Sequence, residues 1–358
     1  MSKSDGETPV CADEGKTHIR DRLANDAPPE ATDSSEIKPT TWLIGSSELK
    51  DHILARIGIN RMGHRVTPGL YSIGRPGPES PVFVTSNYTL SFDSLRSSLK
   101  GLDGYILVLD TQGANVWTAA RKGAFGTDEL VNRIKTTKLE SVVKHRKLIL
   151  PQLSAPGVNA FEVEKRSGFK VEYGPIRAKD IPEFLRIGRA TPEMRLMQFN
   201  LTDRLVLIPV ELNHLSLPLI IAVVVLYVIG GISLSAAAAV AALSGVALFP
   251  VLLPWLPTKD FCTKGFTLGI LLALPFAVAA FWSHQESVLW LRLMYVLTFM
   301  LLMPPVTAYL ALNFTGSSPF TSRTGIKREI FRYVPLMAGS FVLGATLYIA
   351  ITVMQYIG

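Results

Sequence analysis

The chain has 358 residues, 48% of them apolar and 18% charged, with a formal charge of +7. Two cysteines, Cys11 and Cys262, exclude a disulfide framework and any zinc or iron–sulfur site built from cysteines of this chain alone. No dense Lys/Arg stripe with interleaved aromatics occurs, so the excess of base is not a nucleic-acid footprint and no nucleic-acid partner is expected.

The charges are unevenly spread. After Leu212 only ten remain: Lys259, Lys264, Arg292, Arg323, Lys327, Arg328 and Arg332 against Asp260, Glu286 and Glu329. The chain therefore reads as a soluble half and a membrane half. Residues 1 to 40, with nine acids and five bases and little that could form a core, read as a disordered tail. No apolar run opens the sequence, so no cleaved signal peptide is expected.

From Thr41 to Leu212 short apolar runs alternate with helical patterns. Strands are expected at Pro81–Thr85, Tyr105–Asp110, Lys147–Leu150 and Lys170–Tyr173, and helices at Phe92–Leu99, Asp128–Lys138, Val158–Arg166 and Asp180–Ile187. Tyr105 to Leu109 is apolar throughout, as in a strand buried on both faces. Alternation at this pitch implies an α/β domain over 41–212 with a Rossmann-like parallel sheet and right-handed crossovers. Arg204–Glu211 is either a last strand or an interfacial lead-in. No Gly-x-Gly-x-x-Gly follows any strand, which argues against a nicotinamide dehydrogenase.

Five apolar stretches follow within 213–358: Leu217–Ile232, Ala236–Leu256, Phe266–Trp282, Val288–Leu312 and Val334–Tyr356. Each is near the length that crosses a bilayer, giving an all-α transmembrane domain of five helices. A short turn at Ser233–Ser235 makes the first two a hairpin. Lys259 and Lys264 fall between spans two and three, and Arg323, Lys327, Arg328 and Arg332 between spans four and five. The loops Ser233–Ser235 and Ser283–Ser287 carry no Lys or Arg. By the positive-inside rule the soluble domain is cytoplasmic and the C-terminus is outside, in a multi-pass protein of the cytoplasmic membrane. No Asp, Glu or His lies at mid-membrane, so no proton relay is expected. Pro250, Pro254, Pro275, Pro304 and Pro305 read as ordinary span prolines, and Ser340 with Gly344 as a small-residue packing pair.

The segment after the buried strand sits where open parallel sheets collect ligands. It reads Asn115-Val116-Trp117-Thr118-Ala119-Ala120-Arg121-Lys122-Gly123-Ala124-Phe125-Gly126-Thr127. Asn115, Thr118 and Lys122 fall on one face of a short helix. Ala119 and Ala120 keep it slim, so a flat ligand can approach its backbone. Gly123 and Gly126 end the turn, and Thr127 is positioned to cap the next helix. From the residues alone, a cofactor lid and an ordinary helix–turn–helix both stay open. Thr85, Ser86 and Asn87 follow another strand on the same edge, as do Gln152, Leu153, Ala155, Pro156 and Gly157. His145, inside the basic run Lys144–Lys147, reads as a surface residue.

The run from Asn115 to Gly123 resembles the signature of the mercury-methylating corrinoid proteins, Asn-Val/Ile-Trp-Cys-Ala/Ser-Ala-Gly-Lys-Gly. The likeness continues through His145–Leu153, Ala155–Gly157, Ser167–Pro175 and Thr191–Arg195, and the domain is also similar to the corrinoid subunit of the corrinoid iron–sulfur protein. The resemblance implies a corrinoid (cobalamin, with its cobalt) bound by Asn115, Val116, Trp117, Thr118, Ala119, Ala120, Lys122, Gly123, Phe125, Gly126 and Thr127. It adds Thr85, Asn87, Gln152, Leu153, Ala155 and Gly157 on the facing loops. It implies a methyl carrier embedded in a lipid bilayer, a methyl-folate-dependent donor protein, and a ferredoxin-like iron–sulfur protein as reductant. The family's cobalt-ligating cysteine is Thr118 here, and a family glycine is Arg121. A Thr hydroxyl stays protonated near neutral pH and is a poor cobalt ligand. Thr118 is thus expected to face cobalt as a weak ligand or none. Transfer to Hg(II) is the family's reaction; methyl carriage to another acceptor, or a scaffold that has lost the cofactor, are the alternatives.

Overall fold

The computed structural model describes residues 36–60, 63–317 and 323–357. The expected tail lies outside them as far as residue 35, and its end forms a short strand, β1 (Lys38–Thr40). With β2 (Gly69–Ile73), β3 (Val82–Ser86), β4 (Gly104–Leu109), β5 (Lys147–Leu150) and β6 (Lys170–Tyr173) it builds a six-stranded sheet in the order β1-β2-β4-β3-β5-β6. The sheet expected to be wholly parallel is mixed: β2 runs antiparallel to β4, with Tyr71 opposite Ile106, while the other neighbours pair in parallel.

Helices cover both faces. α1 (Ser46–Ile57) precedes β2, and α2 (Thr89–Ser98) joins β3 to β4. α3 (Val116–Lys122), α4 (Thr127–Thr136) and α5 (Leu139–Val142) lie between β4 and β5. α6 (Ala160–Ser167) links β5 to β6, and α7 (Ile181–Ile187) follows. One face of the sheet buries Val82, Val84, Leu107 and Leu109 against Val116, Leu130, Ile134 and Val163 of α3, α4 and α6. The other buries Phe83, Ile106 and Val108 against Phe92, Leu95 and Ile181. Residues 106 to 109 of β4 are fully buried, so alternation vanishes from their sequence because both faces are covered.

Arg204–Glu211 is helical rather than a strand: α8 (Leu201–Leu205) is closed by a capping box between Asn200 and Asp203, and α9 (Ile208–Leu243) follows. A π-helical turn, Ser244–Leu248, leads into α10 (Phe249–Leu252). α11 (Phe261–Ser283), α12 (Leu289–Leu312), α13 (Phe314–Ser317) and α14 (Arg323–Ile357) complete the chain.

Where five spans were expected, four helical segments among the described residues are long and apolar enough to cross a membrane: Leu201–Leu252, Phe261–Ser283, Leu289–Leu312 and Thr324–Gln355. The first is not a straight rod. Arg204 donates from Nη1 to the carbonyls of Pro250 and Val251 at 2.8 and 2.9 Å. Along one straight helix those residues would stand about 70 Å apart. The chain reverses at Gly231, whose φ of 67° and ψ of −162° break the helix. The turn is therefore two residues before Ser233–Ser235, because only glycine accepts that backbone.

Small residues set the helix contacts in the membrane half. A Cβ on Gly265 would lie 2.6 Å from the Cα of Ala308, and one on Gly269 would lie 2.5 Å from the Cα of Pro304, so α11 and α12 touch backbone to backbone. Ser340 donates to the carbonyl of Leu301 at 3.0 Å, which places the Ser340–Gly344 pair on the α12 contact. Pro275, Pro304 and Pro305 sit inside uninterrupted helices, whereas Pro250 opens α10 and Pro254 lies in the turn after it.

Candidate functional site

β3 and β5 share one register pair, Phe83 opposite Ile149. The connection from β3 leads to one side of the sheet and the connection from β4 returns to the other, so chain direction across the sheet reverses between β3 and β5. In open α/β sheets the crevice at that reversal, beyond the strands' carboxyl ends, is where ligands collect. A half-open cavity of about 580 Å³ lies there. Val84, Leu150, Leu153, Ile176 and Ile181 form its apolar wall. Thr85, Ser91 and Ser94 contribute hydroxyls, Asn115, Val116 and Trp117 close one side, and Arg195 and Met197 stand at the mouth. The volume is within the range of ligand pockets.

The turn that delivers α3 to this cavity is built from buried polar groups. Gln112 and Gly113 both take positive φ, at 55° and 75°. Asn87, 2% exposed, brackets them: its Oδ1 accepts from Thr111 N at 3.1 Å, Thr111 Oγ1 at 2.8 Å and Gly113 N at 3.0 Å. Its Nδ2 donates to Asp110 Oδ1 at 3.1 Å. Asn115 is the N-cap of α3, its Oδ1 accepting from Thr118 N at 2.9 Å, and Gly123 ends the helix in the left-handed region at φ 89°.

Of the residues expected at the site, the fold brings Thr85, Asn115, Val116, Trp117 and Leu153 together on the cavity wall. Thr118 is half-buried on the first turn of α3, one residue past those that line it. Several others serve different ends. Asn87 holds the turn rather than facing the cavity, and the Asn115 oxygen is used by the helix cap. Ala119, Ala120 and Phe125 are buried in the core, at 0%, 3% and 0% exposed. Their small or apolar side chains serve packing, not a ligand. Gly157 presses on them: a Cβ there would lie 2.3 Å from Phe125 O and 2.8 Å from Ala120 O. Gly126 is similarly confined by Gly123 O. Thr127 is the first residue of α4 rather than its cap, and its Oγ1 accepts from Asn159 N at 2.9 Å, tying α4 to the start of α6.

Lys122 and Gly123 are exposed at the far end of α3. Arg121 lies over the Trp117 ring at 5.0 Å, a cation–π contact on a cavity-lining indole. Gln152 and Ala155 stand on the loop after β5, and Gln152 Oε1 is buried with no hydrogen-bond partner, as is Ser86 Oγ. His145 is partly buried, its Nε2 at 2.8 Å from Ser80 O. Ser91, Ser94, Ile176, Ile181, Arg195 and Met197 were not anticipated as lining. The two serines, one turn apart on the helix after β3, carry the one signal that pointed to them. Among the described residues no three His, Cys, Asp or Glu side chains converge as a metal site.

Residues 59–185 match the family model of the CO dehydrogenase/acetyl-CoA synthase delta subunit. The chain is 38% identical over 123 residues to the acetyl-CoA decarbonylase/synthase complex subunit gamma of Archaeoglobus fulgidus, covering 34% of this chain and 26% of that protein. It is 35% identical over 127 residues to the same subunit of Methanopyrus kandleri, covering 35% and 27%. It is 32% identical over 129 residues to the corrinoid/iron-sulfur protein large subunit of Moorella thermoacetica, covering 36% and 28%. The chain thus spans about a quarter of the length of these curated relatives, and the family-model match falls on the α/β half.

Proposed function

We propose that this chain is a membrane-anchored corrinoid protein that carries methyl groups. One observation carries the reading: in a chain similar over 129 residues to a corrinoid/iron-sulfur protein, the cavity walls from Phe83 to Ile181 fall inside residues 59–185, which match the CO dehydrogenase/acetyl-CoA synthase delta subunit model, and they meet at the sheet's reversal point. The residues suit a corrin, which is flat, largely apolar and fringed with amides. Val84, Leu150, Leu153 and Trp117 offer apolar contact, while Ser91, Ser94 and Asn115 offer polar groups. Gln152 Oε1, behind the cavity wall in the loop that carries the lining residues Pro151 and Leu153, is a buried acceptor with no partner inside the protein.

A bound corrinoid supplies a cobalt ion able to accept and release a methyl group. The protein's part is to hold the ring and exclude water from one side of it. Thr118, next to Trp117 on the first turn of α3, is the residue proposed to face the metal. Its alcohol provides no thiolate near neutral pH, so this chain favours an acceptor other than Hg(II), and mercury methylation is the second reading. A methyl-folate-dependent donor protein and a ferredoxin-like reductant are the proposed partners. The Leu201–Leu252 hairpin is proposed to cross the bilayer twice, giving five crossings in all.

The test is to purify the full chain in detergent with added cobalamin, then measure retained cobalt and the corrin absorption band. About one cobalt per chain and a shifted band are expected, and Trp117→Ala should lose most of the cobalt. Absence of retained cobalt from the unaltered chain would overturn the reading. A Thr118→Cys variant should alone show a changed cobalt ligand field and should methylate mercury faster. Identical spectra would remove Thr118 from the metal.

A further inference from the structure

α1 is inside out. A helix of a soluble domain turns its apolar stripe to the core and its polar face to water. Here the stripe turned inward is Glu48, Asp51, His52 and Ala55, at i, i+3, i+4 and i+7. His52 Nε2 is 2.6 Å from Asp93 Oδ2, and His64 Nδ1 is 2.5 Å from Asp51 Oδ1. Arg96, 4% exposed, donates to Asp93 at 2.6 Å, to Glu48 at 3.4 Å, and to the carbonyls of Thr41 and Leu43 at 2.7 and 2.6 Å. These bonds fix the helix's rotation. The face left outside carries Leu49, Ile53 and Leu54, 56%, 51% and 42% exposed, and is extended by Ile44 and Ile59.

We infer that this face lies in the interfacial layer of an anionic lipid bilayer, so that α1 is a membrane-surface helix seating the soluble domain. The inference rests on the transmembrane reading of the C-terminal half. Continuity with those helices selects the bilayer as occupant. The end of α1 packs on α9: a Cβ on Gly58 would lie 2.7 Å from Val210 Cγ2 and 3.9 Å from His214 Nε2. Val210 stands seven residues before Leu217, where the run of exposed apolar side chains begins. That is about 10 Å along the axis, comparable to the depth of the headgroup region. Arg204, bonded to Pro250 and Val251, marks the same end of the hairpin, and Trp255 just beyond is 71% exposed, a position typical of interfacial indoles. Charge agrees as well. Arg56 is exposed at the edge of the apolar face and Lys50 is exposed between Ile53 and Leu54, where its stem can lie along the face, whereas Glu48 and Asp51 are turned to Arg96 and His64.

The experiment uses the full chain carrying Cys11→Ala, in nanodiscs of three parts phosphatidylcholine to one part phosphatidylglycerol. Nitroxide labels are placed singly through Leu49→Cys, Ile53→Cys, Val228→Cys and Lys165→Cys; Cys262 is fully buried and Val228 is 80% exposed. Power saturation then compares collision with oxygen, which concentrates in lipid, and with a nickel chelate, which stays in water. At Leu49 and Ile53 the oxygen-to-nickel ratio should be several-fold higher than at Lys165, approaching that at Val228. Nickel access at Ile53 equal to that at Lys165, with Val228 in lipid, would place the face in water and overturn the inference alone. Exclusion of both quenchers from Ile53 would assign the face to a second copy or a protein partner and overturn it too. Nickel access at Val228 would overturn the transmembrane reading together with it.

Discussion

At Asn87 a single carboxamide oxygen accepts from three donors of the Thr111–Gly113 turn while its nitrogen donates to Asp110. Truncation would leave two backbone N–H groups without partners in a dry site, each costing about 1 kcal/mol or more by the usual scale, while the Thr111 hydroxyl keeps the Ala114 carbonyl at 2.7 Å. Asn87→Ala should therefore destabilise the α/β domain by about 2 kcal/mol, lowering Tm in detergent. A Tm equal to that of the parent would mean that the turn stands without the bracket. His64 shows a related economy of polar groups. Burial opposes its charge, but the Ile59 carbonyl and the Asp51 carboxylate together outweigh that and hold its pKa above the ordinary histidine value. Each ring nitrogen faces an acceptor, at 2.5 Å for Asp51 and 2.7 Å for Ile59 O, which suits the doubly protonated ring.

Among the elements, the helical hairpin of Leu201–Leu252 depends most on one residue. Gly231 has φ 67° and ψ −162°, and a Cβ built there meets nothing within 4 Å. Any penalty for a side chain is thus backbone strain without a clash. Gly231→Ala should cost about 2 kcal/mol. Gly339→Ala, in α14 with equally open space, should be neutral or stabilise by up to about 1 kcal/mol. Parallel thermal unfolding of the two variants in detergent separates them, and equal effects would refute the strain account. α3 is held differently. Gly157 lets its loop lie against the backbone of Ala120 and Phe125, so the position of the cavity wall is set by packing behind it.

For the whole molecule the number of crossings decides which side the C-terminus occupies. Five crossings, with Lys259, Lys264, Lys327, Arg328 and Arg332 on the side of the soluble domain, put it on the opposite side. A C-terminal alkaline phosphatase fusion in a bacterial host should then be active and a green fluorescent protein fusion dark. The reverse pattern would mean four crossings and a hairpin that does not span.

The sequence by itself determined the division into two halves, the strands β3 to β6 and the apolar helices, because burial of one face or both leaves a period that local reading recovers. It also located the Asn115–Thr127 segment, since that segment directly follows the most buried strand. Two kinds of feature were decided only by tertiary structure. β2 is five residues whose place depends on antiparallel pairing with β4, and α1 shows no inward apolar period because its polar stripe, not its apolar one, faces the protein. The residues around the cavity were sorted in the same way. Phe125 and Trp117 both read as site aromatics, yet one fills the core and the other the cavity wall, since the direction of each side chain follows from what packs behind α3. Spacing along a chain specifies which residues share a helix face; only the neighbouring elements specify what that face meets.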